Sequence, residues 1–180
     1  MRILDKYLFF YGSIYSQWYP SKFVDPKLKG TQDVVGQSLE FNCAEQYMMF
    51  HKALLFDDTN SVMKIMNSDS PAEQKRLGRR VKNFDYDEWD KVKFDVVTRG
   101  NYLKFGQNPE LYEQLLDTAK NNYILVEASP VDPIWGIGLD QDEDRELLVN
   151  EANWKGENLL GKAIMAAREK LIEVNSLKAC

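Results

Sequence analysis

The chain has 180 residues, 44% of them hydrophobic, which is enough to build a buried core without disulfides or metals. A net charge of −5 argues against general attraction to nucleic acid, although a local basic patch could still bind phosphate, and a mean hydropathy of −0.48 argues against a membrane protein. Cys43 and Cys180 are too few for a disulfide framework, and the apolar run at the N-terminus is too short to cross a membrane. We therefore expect one cytoplasmic domain over residues 1–180.

The first part of the chain predicts a strand, then loops, then a helix. The aromatic run Tyr7–Tyr11 is typical of a short buried strand. Residues 16–41 contain prolines and glycines, so we expect loops there, with one further strand around 37–41. From Ala44 the apolar residues recur every three or four positions, which predicts a helix through Phe56. Its inward stripe is predicted to be Tyr47, Phe50, Leu54 and Leu55.

The rest of the chain predicts four more helices and a strand. Ser70-Pro71-Ala72-Glu73 is a capping box with proline at the first helical position, so a helix should run from Pro71 to about Lys82. Residues 123–126 (YILV) predict a buried strand. The other helices are predicted to begin after Asp87, Asn108 and Asn158.

These elements predict a mainly α (α+β) fold, a single helical domain of five or six helices with a small antiparallel sheet. The helices follow one another rather than alternating with strands. Neither glycine-rich fingerprint of the nucleotide-binding folds occurs, which excludes a doubly wound fold.

The common templates for catalytic and metal sites do not fit. His51 is the only histidine, and it falls in the middle of a predicted helix, so a packed or surface histidine is favoured. Cys43 is more typical of a small buried hydrophobe than of a nucleophile. The acidic run from Asp140 to Glu151 follows the spacing of a calcium loop, but Arg145 stands where the sharp turn needs glycine. We therefore predict no metal and no bound cofactor.

The helix after Asn42 carries a carboxylate and an amine on one side. Glu45, Met49 and Lys52 are spaced by four and three residues, so they project from one stripe and could line a small-molecule site. Glu45 and Lys52 each also have a purely structural interpretation. Glu45 could reach back to the Asn42 N–H as a capping box, and Lys52 could be a surface lysine.

A second candidate segment follows the late predicted strand. Glu127 ends that strand, and Asp132 lies in the turn that follows. Trp135 then stands beside Gly136 and Gly138, a combination typical of a pocket rim and equally of an ordinary turn with a core tryptophan. The segment 154–158 before the last helix could present N–H groups to phosphate or be a plain helix cap.

Together these segments resemble the NADAR family of YbiA-like N-glycosidases, over about residues 9–172. The resemblance is carried by six motifs in the family's order. They are AEQYMMFHKALLF from Ala44, LGR at 77–79, NFDYDEW ending at Trp89, LKF at 103–105, LVEAS-x-x-D-x-x-WGIG from Leu125, and W-x-G-x-N-x-LG from Trp154.

The resemblance implies a mainly helical fold and cleavage of a bond between ribose C1 and a nitrogen. Two substrate classes are implied: ADP-ribose attached to guanine in nucleic acid or nucleotides, and the phosphorylated ribosylamino-pyrimidines of riboflavin synthesis. The implied partners are accordingly a nucleotide-like small molecule and ADP-ribosylated single-stranded nucleic acid, with no membrane. Family members often have glutamine in place of Met49 and asparagine in place of Gln17, departures that concern substrate preference rather than chemistry.

The resemblance matches Glu45, Lys52, Glu127, Asp132 and Trp135 to site residues of the family, and the roles that follow are our hypothesis. Glu45 would stabilise positive charge at C1 or deprotonate the nucleophile, and Lys52 would attack C1 to give a Schiff base. Glu127 and Asp132 would grip ribose hydroxyls or protonate the leaving base. The implied substrate-binding residues are Tyr15, Trp18, Arg79, Trp89, Trp135, Gly136, Gly138 and Asn158.

Two other classes of function stay open from the residues alone. A binding module could hold ADP-ribose or NAD in the same pocket without turnover, and it would not need a carboxylate and an amine converging on C1. An interaction protein would use its tryptophans and tyrosines as core and surface anchors, and ADP-ribose would not stabilise it.

Overall fold

The computed structural model describes residues 1–28 and 39–178. It divides into two compact units, which we call the sheet unit (Met1–Ser16 with Pro109–Cys180) and the helical unit (Gln17–Asn108). The strands are β1 (Arg2–Leu4), β2 (Tyr7–Phe10), β3 (Phe23–Val24), β4 (Glu40–Phe41) and β5 (Ile124–Glu127). The α-helices are α1 (Ala44–Leu55), α2 (Thr59–Met66), α3 (Pro71–Gly78), α4 (Tyr86–Gln107), α5 (Pro109–Lys120), α6 (Arg145–Leu148) and α7 (Leu159–Lys178), with single 3-10 turns at Pro26–Leu28 and Glu151–Asn153.

The sheet unit is built on three strands in the order β1-β2-β5. β1 pairs with β2 antiparallel, and β2 pairs with β5 parallel, from Tyr7 opposite Ile124 to Phe10 opposite Glu127. β5 also contacts α7. The periodicity after Asn158 predicts an inward stripe of Leu160, Ala163, Ile164, Ala167, Leu171 and Ile172 on α7. All of these are buried except Ile172, which is half-buried.

The helical unit is built around α1, which contacts α2, α3 and α4. Every residue of α1 from Ala44 to Phe50 is buried, so this helix is enclosed on all sides over two turns. The predicted stripe is right for Tyr47 and Phe50, but it is wrong for Leu55, which is 41% exposed.

The predicted fold class is confirmed, and two of its details differ. The three-stranded sheet is mixed rather than antiparallel, because β2 and β5 run parallel. Parallel strands need a long connection, and no local pattern in the sequence says which distant strand will pair. The described residues form seven α-helices rather than five or six, because α2 and the single turn α6 were not predicted. The single domain predicted over residues 1–180 stays a prediction.

Several predicted boundaries can be compared with the helix ends. Ser70 caps α3 as predicted, since its side chain accepts a hydrogen bond from the Glu73 N–H. α3 ends at Gly78 rather than near Lys82. Asp85 rather than Asp87 is the N-cap of the next helix, and α4 begins two residues earlier than expected.

Of the strand predicted around 37–41, residues 37 and 38 lie outside the described residues, and Glu40–Phe41 forms β4. Within the described ranges, no helix is long and apolar enough to cross a membrane.

Candidate active site

A buried network of amides sets the start of α1. The Asn42 N–H donates to Gln46 Oε1 at 2.8 Å, and the Gln46 amide nitrogen donates to the Ile65 carbonyl at 3.0 Å. The alternative interpretation, a capping box between Asn42 and Glu45, is therefore wrong, because Gln46 accepts the hydrogen bond from the Asn42 N–H. Sequence reasoning could not choose between them, since the carbonyls that orient Gln46 come from the end of α2.

Glu45 is a buried carboxylate at the first turn of α1. It is 5% exposed, and its backbone N–H donates to the Gln17 carbonyl at 2.9 Å. The Gln17 side chain is held in turn, because its Oε1 accepts from Asn101 Nδ2 at 2.9 Å. The loop before β3 and the helix α4 thus both fix the surroundings of Glu45.

Lys52 lies two turns further along α1 among aromatic rings. Its Nζ is 4.0 Å from the centroid of the Phe84 ring and 6.0 Å from that of the Trp89 ring. Burial lowers the pKa of the Lys52 amine, the charge of Glu45 opposes this, and the charge of Arg79 adds to it. The side chain is half-buried rather than a solvated surface lysine. The Lys52 amine therefore loses its proton more readily than the amine of an exposed lysine.

Met49 and Gln17, the two residues that differ from the family pattern, lie in different surroundings. Met49 is buried, and its side chain fills the space that a Cβ would occupy at Gly78. Met49 therefore packs α1 against α3. Gln17, in contrast, lies directly beside the Glu45 backbone.

Lys104 is a buried lysine that sequence reasoning did not single out. It is 0% exposed, with its Nζ 5.1 Å from the Phe105 ring centroid and 5.6 Å from that of Tyr19. Burial lowers the pKa of Lys104 to about 7. The only signal in the sequence was its place within the LKF motif, because a lone lysine in a helix is usually exposed.

The other predicted residues of the helical unit differ in exposure. Trp89 is 5% exposed in the first turn of α4, whereas Trp18 is 43% exposed. Arg79 is the exposed C-cap of α3 and lies close enough to Lys52 to affect its pKa. The helical unit therefore brings Glu45, Lys52, Trp89 and Arg79 into one neighbourhood.

In the sheet unit, Asn158 fixes the end of β5. Its Oδ1 accepts from the Glu127 N–H at 3.0 Å, and its Nδ2 donates to the Leu125 carbonyl at 3.0 Å. Asn158 is 2% exposed and has a φ of +53°, in the left-handed region that asparagine tolerates. Its side-chain atoms thus position the strand that carries Glu127.

The turn after β5 is closed by Asp132. Its Oδ1 accepts from the N–H groups of Ile134 at 3.1 Å and Trp135 at 2.9 Å. A Cβ at Gly136 would come within 3.0 Å of the carbonyl oxygens of Glu127 and Asp132, so only glycine fits. Gly138 has a φ of +68°, which also favours glycine. Trp135 is half-buried on this rigid turn.

Tyr15 lies in the core of the sheet unit. It is 2% exposed, and its hydroxyl donates to the Gln114 carbonyl at 3.4 Å. Burial raises the pKa of Tyr15 to about 12, so its hydroxyl stays protonated at neutral pH. The sheet unit thus carries Glu127, Asp132, Trp135, Gly136 and Asn158 on and beside one strand end, with Tyr15 in its interior.

Cys43 is buried just before α1, and His51, on α1, is half-buried. Burial raises the pKa of the Cys43 thiol to about 11 and lowers that of His51 to about 4. A protonated thiol and a neutral, half-buried imidazole fit the structural interpretation of both residues. Among the residues that the structure describes, no group of three or more His, Cys, Asp or Glu side chains is placed to hold a metal ion.

Comparison with known proteins gives the family. The family model for the NADAR domain matches residues 9–172. A protein of Acanthamoeba polyphaga mimivirus named N-glycosidase R617 is 48% identical over 174 residues, covering 92% of this chain and 96% of that protein. The maize protein named "Riboflavin biosynthesis protein PYRR, chloroplastic" is 32% identical over 147 residues, covering 78% of this chain and 21% of that protein. The NMR structure of the E. coli protein YbiA matches with a TM-score of 0.70 and 25% identity, covering 98% of this chain and 90% of that one. The resemblance seen in the sequence motifs is confirmed, and the chain belongs to the NADAR family.

Proposed function

We propose that this protein is an N-glycosidase that hydrolyses the bond between ribose C1 and a nitrogen of a base. The observation that carries the proposal is the pair on α1: a buried carboxylate, Glu45, and a half-buried amine, Lys52, whose pKa burial lowers. Relatives named N-glycosidases support the reaction class.

Glu45 would act on the charge that develops at C1. Breaking a ribosyl C1–N bond gives the sugar oxocarbenium character, which a preorganised carboxylate stabilises. The surroundings of Glu45 are already ordered, because the Gln17 carbonyl accepts a hydrogen bond from the Glu45 backbone and Asn101 holds the Gln17 side chain. The carboxylate therefore needs little reorganisation during the reaction.

Lys52 would act as the nucleophile. Its neutral amine forms a bond to C1 while the C1–N bond to the base breaks, and the leaving nitrogen takes up a proton. Opening of the ribose ring turns the resulting glycosylamine into a Schiff base, and water then releases the sugar and restores the amine. Lys104 also has a lowered pKa, but it is 0% exposed, so Lys52 is the lysine that a substrate can reach.

Two substrate classes follow from this reaction. The first is ADP-ribose on guanine, in nucleic acid or in a nucleotide. The second is a phosphorylated ribosylamino-pyrimidine, which is supported by relatives named riboflavin biosynthesis proteins. The roles expected for Glu127 and Asp132, which lie on or beside the end of β5 in the sheet unit, stay predictions.

The proposal is tested by detecting products by mass spectrometry. The protein is incubated separately with an ADP-ribosylated guanosine oligonucleotide and with the ribosylamino-pyrimidine phosphate. Glu45→Gln and Lys52→Met should each lose at least a hundredfold in kcat/KM, in the range of lost electrostatic and nucleophilic catalysis. Lys91→Ala, an exposed lysine on α4, should keep full activity.

The Schiff base has its own test. Reduction with borohydride during turnover should leave a mass adduct on Lys52, which disappears in Lys52→Met and is unchanged in Lys91→Ala. An adduct on another lysine would remove Lys52 from the mechanism. If ADP-ribose raises the melting temperature and neither substrate gives product, the protein is a binding module instead.

A further inference from the structure

Phe84, in the segment between α3 and α4, lies against the amine of Lys52. The Lys52 Nζ is 4.0 Å from the centroid of the Phe84 ring, well within the distance of about 6 Å over which an aromatic face attracts a cation. The Phe84 side chain is 42% exposed, so the ring stands between solvent and the helical unit that carries Lys52. Phe84 therefore contacts the proposed nucleophile directly.

The backbone that carries Phe84 is fixed on its N-terminal side. Val81 is 6% exposed and anchors the segment in the core. The Lys82 N–H donates to Asp58 Oδ2 at 2.9 Å, and Asp58 is itself the N-cap of α2. Asn83 then turns the chain with a φ of +55°, in the left-handed region that asparagine tolerates. The position of the ring is therefore set by the fold.

The Phe84 ring is also held from the side. Phe56, the C-cap of α1, meets it edge to face, with 5.3 Å between the ring centroids and 68° between the ring planes. This is one of the two arrangements that aromatic pairs prefer. Lys52 precedes Phe56 by four residues, about one turn of the helix. The ring thus contacts the end of α1 through both residues.

The other neighbours of the Lys52 amine differ from Phe84. Glu45 on α1 and Arg79 at the end of α3 are the charged groups that act on it, and burial outweighs both in lowering the pKa of Lys52. Trp89 on α4 is uncharged and lies further away, at 6.0 Å from the amine, and it is 5% exposed. Because Phe84 is exposed and Trp89 is buried, removal of the Phe84 ring is the change that opens the amine to water.

The proposed reaction places a positive charge on the Lys52 nitrogen. After the amine has bonded to C1, the ribose ring opens. The C1–O4 bond breaks, O4 keeps its electrons and takes up a proton from water, and the nitrogen shares its electron pair with C1. The nitrogen of this Schiff base is therefore a cation, as the ammonium is, and the face of an aromatic ring attracts both.

From these contacts we infer that Phe84 is a positioning residue for Lys52. Its ring face holds the amine in place and, during turnover, stabilises the positive charge of the Schiff-base nitrogen. The inference rests on the proposed N-glycosidase function and adds a residue to the same site.

The first test measures the Lys52 amine without any substrate. Acetic anhydride reacts with neutral amines, so the labelling of Lys52, followed by peptide mass spectrometry across a range of pH, has a midpoint that reports its protonation. Phe84→Ala should move this midpoint to higher pH, because water reaches the amine. Phe84→Leu should move it to lower pH, because leucine covers the amine and offers no aromatic face. Tyr86→Ala is the matched control, since this ring is 54% exposed and lies against Lys93 instead.

The second test measures turnover on the plateau of the pH profile. Phe84→Leu should lower kcat about tenfold, the effect of losing one cation–π contact, and leave KM within about twofold. Phe84→Tyr keeps the ring and should restore kcat, and Tyr86→Ala should match the wild type.

Two results would overturn the inference. One is an equal labelling midpoint in Phe84→Ala, Phe84→Leu and Tyr86→Ala. The other is a Phe84→Leu enzyme with an unchanged kcat and a raised KM, because the ring would then bind substrate rather than hold the amine. Shifted midpoints without turnover of either substrate would refute the proposed function and still support the contact between Phe84 and Lys52.

Discussion

Replacing Asn158 should destabilise the protein strongly, because its buried side chain holds the backbone of β5. Its side chain makes two hydrogen bonds to the backbone of β5, to Glu127 and to Leu125, and it is 2% exposed. Asn158→Ala leaves a buried N–H and a buried carbonyl without these partners, at about 1–3 kcal/mol each. Alanine at a φ of +53° adds about 1–2 kcal/mol, since left-handed backbone is unfavourable for it. The expected loss in free energy of unfolding is therefore about 3–8 kcal/mol.

Urea denaturation measures this loss, and two further variants check its origin. Asn158→Asp keeps the acceptor for the Glu127 N–H but replaces the donor to the Leu125 carbonyl with a buried carboxylate oxygen, so it should cost at least about 1–3 kcal/mol. Asn121→Ala, an exposed asparagine of the same unit, should stay within about 0.5 kcal/mol of the wild type. A loss below about 1 kcal/mol for Asn158→Ala, together with a raised KM, would refute the structural role and favour direct contact with substrate.

For two further changes, the structure determines whether the stability of the protein rises or falls. Burial lowers the pKa of His51 to about 4, from an ordinary 6.5, so the unfolded chain takes up a proton first as the pH falls. His51 should therefore contribute stability above pH 6.5 that is lost between pH 6.5 and 4, and urea titrations at both pH values should show a smaller drop for His51→Gln. Gly100→Ala should gain about 1 kcal/mol from helix propensity. Its Cβ, however, would lie 2.8 Å from the Tyr47 ring, and that ring is held in place because the Tyr47 hydroxyl donates a 2.7 Å hydrogen bond to Asp25. Overpacking costs about 1–3 kcal/mol, so thermal melts should show a lower melting temperature, and a higher one would contradict this packing.

Local chemistry accounts for the features that could be predicted. Ser70 caps α3 because a hydroxyl and an N–H three residues apart meet in any helix start, wherever the helix lies in the fold. The strand at Tyr7–Phe10 follows from a short continuous apolar run, and the stripe of α7 follows from helical periodicity. Glu45 and Lys52 share a side of α1 because seven residues make nearly two turns of helix.

The features that were missed depend on residues far apart in the chain. The parallel pairing of β2 with β5 joins strands separated by more than a hundred residues. Gln46 rather than Glu45 bonds the Asn42 N–H because carbonyls at the end of α2 orient its amide. Neither fact leaves a signal in the residues around it.

The sequence by itself determined which residues carry reactive groups and where most helices begin, because capping, periodicity and motif order are properties of neighbouring residues. Only the tertiary structure decided their chemical state. The pKa of Lys52 and of Lys104 falls because other elements remove water from their amines, and desolvation cannot be read from a spacing. Asn158 likewise became a support for β5 only because α7 begins where that strand ends, with two backbone groups in reach of one amide.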